Sequence, residues 1–134
     1  MTVDIQFQPR RGLDGLLVIK ADGQLDVTIS DELWHQLSHL LRAMVDLLTR
    51  TLPYASIPYF SQPGAYDITP EGEQLVLSGE YIPTARYPRD DLARTVAAVA
   101  TRWLAYASTA DAEHRGVAPE VAAALDAARA VLPA

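Results

Sequence analysis

Residues 30–48 read SDELWHQLSHLLRAMVDLL. Leu33, Leu37, Leu40, Leu41, Met44, Val45 and Leu48 recur at spacings of three and four, which places them along one face of a helix. Trp34 borders that face. Ser30 is suited to cap the free amides, and Asp31 and Glu32 suit the positive end of the helix dipole. Pro53 closes the segment, because the residue before a proline resists helical geometry. An amphipathic helix here leaves the flanking residues to supply what its apolar face covers.

On the amino-terminal side, Val3, Ile5 and Phe7 alternate with Asp4, Gln6 and Gln8, the period-two pattern of a half-buried strand. Leu16 to Lys20 is a short apolar run, and Leu25, Val27 and Ile29 alternate after it. Ala21-Asp22-Gly23-Gln24 lies between them, and Asp-Gly favours a tight hairpin because both positions tolerate positive φ. Three strands are therefore expected before the helix.

On the other side, residues 53–88 hold six of the nine prolines and five of the six tyrosines. Tyr66–Thr69 and Gln74–Ser78 flank Pro70-Glu71-Gly72-Glu73 and predict a second hairpin. Glu80-Tyr81-Ile82 extends its second strand or forms a bulge after Gly79. Tyr54–Ala65 reads as an irregular surface loop. Pro88, Asp90 and Asp91 then open a second helix with Leu92, Val96, Val99, Ala100, Trp103 and Ala107 on one face. Asp111–Ala118 reads as a polar linker, and Pro119–Leu132 as an alanine-rich third helix with a thin apolar stripe.

The expected fold is α+β, in the order β-β-β-α-β-β-α-α. An antiparallel sheet of about five strands has two amphipathic helices on one face, with an extra carboxy-terminal helix. Residues 1–134 form one domain, since 134 residues cannot divide into two cores of useful size. Residues 108–134 supply the linker and a helix packed on the domain or on a partner.

Seventeen acidic against eleven basic side chains give a net charge of −6. Phosphate backbones and anionic membranes repel such a chain, so nucleic-acid and membrane partners are not expected. With no cysteine there are no disulfides, thiolate nucleophiles or cysteine metal sites. MTVDIQFQPR has no basic segment followed by an apolar one, and a cytoplasmic location is expected. Ten arginines against a single lysine, with many alanines, read as the coding habit of a GC-rich bacterial genome.

His35 and His39 are four apart on the first helix, a spacing that can grip a metal. The zinc protease motif needs Glu after the first histidine, and Gln36 stands there, so water activation would lack its base. His35, His39, Arg42 and Asp46 fall opposite the leucines and are expected in solvent, with Arg42 and Asp46 paired. No metal and no cofactor is expected. Arg86 and Arg89 precede the second helix, but Asp90 and Asp91 already occupy its positive end. Asp67, Glu71 and Glu73 surround a turn, where acids stay hydrated and offer no acid–base chemistry. His114 is expected in solvent. No catalytic residue is assigned, and the reading favours binding over catalysis.

The aromatic segment carries the functional expectation. Tyr54, Tyr59, Phe60, Tyr66, Tyr81 and Tyr87 offer large rigid surfaces of the kind that dominate binding hot spots. Asp67, Glu71, Glu73 and Glu80 lie among them, so this surface would suit a basic protein partner. The competing reading is that tyrosines here simply cap the core with their hydroxyls in water.

The layout resembles small acidic immunity proteins of bacterial polymorphic toxin systems. The resemblance is carried by LLVIKADGQLDVTI (16–29), SDELWHQLSHLLRAMVDLL (30–48), YDITPEGEQLVLS (66–78) and DDLARTVAAVATRWL (90–104), and covers about residues 3–107. It implies a stoichiometric inhibitor that occludes a toxin's active site without catalysis of its own. Two alternatives stay open: an acidic secretion-chaperone-like homodimer, and a small enzyme or ligand-binding domain with a pocket under the 53–65 loop.

Overall fold

The computed structural model describes residues 2–49 and 52–133. Three strands, β1 (Val3–Pro9), β2 (Asp14–Ala21) and β3 (Val27–Glu32), form an antiparallel sheet in chain order. Helix α1 (Leu33–Thr49) follows at once. Four more strands, β4 (Ala55–Pro58), β5 (Ala65–Glu71), β6 (Gln74–Gly79) and β7 (Ile82–Pro88), form a second antiparallel sheet, also in chain order. Helices α2 (Arg89–Ser108) and α3 (Ala112–Arg129) complete the chain. The class is α+β as expected, but the single five-stranded sheet is corrected to seven strands in two sheets among the described residues.

Each departure has a local cause. The loop expected at Tyr54–Ala65 contains β4, a four-residue edge strand with a proline, the position where a sheet tolerates one. Glu80 and Tyr81 do not prolong β6: Tyr81 has a φ of 70° and turns the chain into β7. Ser30-Asp31-Glu32 do not cap α1. They complete β3, and the Leu33 amide bonds to the Leu13 carbonyl at 3.1 Å. Asp111–Ala118 is not a linker, because Asp111 caps α3 by accepting from the His114 amide at 2.9 Å. Pro119 therefore lies inside a helix rather than at its start, at the loss of one backbone bond.

Both sheets obey the alternation that the sequence displays. Ile5, Leu17, Ile19, Val27 and Ile29 point inward from the first, and Ile57, Tyr66, Ile68, Leu75, Leu77, Ala85 and Tyr87 from the second. They meet Leu33, Leu37, Leu40, Leu41 and Met44 of α1 and Leu92, Val96, Val99 and Trp103 of α2. Helix α3 packs on α1 and α2, and its stripe of Val121, Leu125 and Ala128 is buried there. This placement makes α1 nearly an interior helix, so its supposed solvent face is partly covered.

The sheets touch along β3 and β7. Gln24, in the turn before β3, clasps the Arg86 backbone of β7, donating to its carbonyl and accepting from its amide at 2.6 Å. The two outermost strands are shielded by helices. Arg102 of α2 donates to the Ile5 carbonyl of β1 at 2.6 Å, and His35 of α1 meets the Pro58 carbonyl of β4 at 2.9 Å.

Among the described residues, two buried side-chain polar atoms have no hydrogen-bond partner, the Tyr87 hydroxyl and the Trp103 indole nitrogen. Burial beside Asp26 pushes the Tyr87 phenol up to about 12. An unsatisfied hydroxyl in a core is a net cost, so Tyr87→Phe should leave stability unchanged or raise it by about 1 kcal/mol. Urea denaturation measures this directly, and a loss above about 1 kcal/mol would mean that the hydroxyl is bonded.

Candidate functional site

The structure divides the aromatic and acidic residues singled out in the sequence. Tyr59, Tyr66 and Tyr87 belong to the interior and cannot offer a contact surface in the folded chain. The Tyr66 hydroxyl donates to Gln36 Oε1 at 2.7 Å and that of Tyr59 to the Glu80 carbonyl at 2.6 Å. Strand alternation could have signalled this, since Tyr66 shares its side with Ile68, and Tyr87 with Ala85. Tyr54, Phe60 and Tyr81 are exposed, at 53%, 48% and 64%. Tyr81 rests edge-on against Tyr59. Of the acids, Glu71 pairs with Arg86 at 3.6 Å, and the Glu80 carboxylate fills the space beside Gly64. Asp67 is half-buried on the outward side of β5, and Glu73 is exposed at the hairpin turn.

A different set of residues converges around Asp31. Val27, Ile29 and Asp31 share the inward side of β3, so a carboxylate ends an apolar row and is 3% exposed. It accepts from the amides of Phe60 (2.8 Å) and Ser61 (2.9 Å), the Ser61 hydroxyl (2.5 Å) and Gln36 Nε2 (2.7 Å). Burial would raise the Asp31 pKa, but these donors outweigh it and hold the carboxyl below its ordinary value. Gln36 in turn accepts from Tyr66, so β3, α1, β5 and the 58–61 segment are tied at one point.

That tie fixes an aromatic cluster outside it. Phe60 lies 5.5 Å from Trp34 and 5.3 Å from His35, and Trp34 lies 5.7 Å from His35, all in edge-on contact. Trp34 Nε1 donates to Glu32 at 2.7 Å. A carbonyl can only accept, so His35 Nε2 carries its ring proton toward Pro58, and His39 Nδ1 carries its own toward the His35 carbonyl at 2.9 Å. The two imidazoles are 4.1 Å apart. Burial, with help from His35 and Arg42, holds the His39 pKa below its ordinary value against its backbone bond and Glu120.

Both histidines are thus half-covered rather than solvent-facing, because β4 and α3 flank them. Arg42 reaches Glu120 of α3 at 2.9 Å. Among the described residues, no three histidines or acids gather as metal ligands would. Beside His39 a groove of about 380 Å³ opens between α1 and the 52–57 segment, rimmed by the exposed Leu52 and Tyr54. It lies beside the proline-rich segment that begins at Pro53.

The remaining candidates are structural. Arg89 pairs with Asp90 at 3.0 Å and Arg94 with Asp91 at 3.1 Å, which neutralises the start of α2. His114, expected in solvent, is buried; its Nδ1 contacts Asp111 at 2.7 Å and its ring lies by Trp103 and Tyr106. Trp34 and His35 were missed as members of an exposed site because Phe60, which completes it, is brought in only by the fold.

No protein-family model matches the chain, and neither a curated protein nor a solved structure matches it.

Proposed function

We propose that this chain is a protein-binding domain whose contact face is the Trp34–His35–Phe60 cluster and the adjoining rim of Leu52 and Tyr54. The carrying observation is that Phe60 is half exposed while its backbone is pinned to a buried carboxylate. Large apolar rings held in place before contact lose little freedom on binding, which is how a few residues come to dominate an interface. The net charge of −6 favours a basic partner. Within this class, an immunity-type inhibitor that occludes a toxin fits the resemblance drawn from the sequence. A homodimer through α3 or an outer strand is less well supported, since the stripe of α3 and the edges of β1 and β4 are engaged inside the chain.

The test is co-expression with the products of the flanking genes, followed by measurement of the complex. Phe60→Ser with Tyr54→Ser, both at exposed positions, should leave the melting temperature nearly unchanged and weaken the complex about a hundredfold, or ~2.7 kcal/mol. Where the partner is toxic, the wild type should restore growth and the double variant should not. Equal affinity of both proteins would remove this face from consideration.

A further inference from the structure

Building on that reading, we propose that Trp34, His35 and Phe60 form a preformed seat for an alkylammonium group, the head of a lysine or methylated lysine on the basic partner. The three ring planes stand at 76°, 71° and 85° to one another. Three perpendicular walls with centroids 5.3–5.7 Å apart would, if they meet as a corner, leave a point about 4 Å from each ring, inside the ~6 Å reach of cation–π attraction. A compact, near-spherical cation suits three perpendicular walls better than a planar guanidinium, which stacks on one.

Each wall is held by its own polar bond. The Trp34 indole donates to Glu32, the His35 ring to the Pro58 carbonyl, and the Phe60 amide to Asp31. A set of rings that merely roofed the core would not need three separate anchors. Two of those anchors, Glu32 and Asp31, are carboxylates set behind or beside the rings, so the local field favours a cation. Arg42, the basic residue of α1 one turn beyond His39, is paired with Glu120.

The probe is tetramethylammonium chloride, titrated into the full chain at constant ionic strength and followed by NMR, with tert-butanol as the neutral isostere. Saturable shifts of the Trp34 indole proton and the Phe60 ring are expected in the millimolar range, with the Trp103 indole unmoved. Phe60→Leu, at a half-exposed position that spares the fold, should weaken the response at least tenfold. A Trp34→Leu variant provides a second reading, with its folding checked by its melting temperature. An equal response to tert-butanol, a non-saturable response, tighter binding of guanidinium, or an unaltered Phe60→Leu protein would each overturn the proposal. No partner is present in this experiment. Absence of ammonium binding by the wild-type chain, with a complex that still depends on Phe60, would refute the seat alone, whereas a working seat with a complex indifferent to Phe60 would refute the contact face.

Discussion

Asp31→Asn will lower the free energy of unfolding by about 3 kcal/mol at neutral pH. The carboxylate is 3% exposed and accepts from four donors on two segments of chain. An amide of the same shape has one accepting oxygen, and its own N–H groups face donors, so at least two buried donors lose their partner. Tyr66, bonded to the same Gln36, feels the rearrangement. The pH dependence supplies an independent signature. The folded pKa lies below the ordinary 3.8, so the native state binds fewer protons than the unfolded chain there. The stability this group contributes is complete above that value and is lost as pH falls through the lowered folded pKa. The gap between wild type and Asp31→Asn should therefore narrow on acidification below 3.8. Denaturant melts at several pH values test both parts, and a neutral-pH difference under about 0.5 kcal/mol would show that the donors are satisfied elsewhere.

Gly79→Ala will cost about 3–4 kcal/mol. Gly79 sits at a register shift between β6 and β7 with a φ of 147°, a conformation closed to residues with a side chain. A Cβ there would stand 2.6 Å from Tyr66 Cα and 2.9 Å from the Ala65 carbonyl, so the backbone of β5 would have to yield. Tyr66 cannot move without disturbing Gln36 and Asp31. Gly72, with a φ of 65° and open space around it, is the control, and Gly72→Ala should lose only about 1 kcal/mol. Similar losses at the two positions would show that crowding against β5 contributes nothing.

Much of this fold is legible in the residues, because it follows local periodicity. The apolar faces of α1 and α2 are where spacing puts them, and Asp22-Gly23 and Glu71-Gly72 turn the chain through glycines of positive φ. The elements that escape have mixed local signals. Ala55–Pro58 is too short to show alternation, Pro83 interrupts the pattern of β7, and Gly116 and Pro119 disguise the first half of α3. Asp31 shows the limit most clearly. Its place after Val27 and Ile29 predicts an inward strand residue, yet its place before Leu33 predicts a helix start, and only the tertiary donors decide. The aromatic face is harder still, since Phe60 meets Trp34 and His35 across more than two dozen residues of chain.

The helix-shielded outer strands bear on how such a face can be tolerated. Greasy rings at a protein's exterior invite self-association, and fibrils grow when they adjoin an unpaired backbone ladder that a neighbour can extend. Here the Arg102 guanidinium occupies the rim of β1, and His35, itself one of the rings, occupies that of β4. Each contact takes up a carbonyl that an added strand would need at that rim. On the proposed reading, a partner would be selected through side-chain shape and charge, a contact that can dissociate.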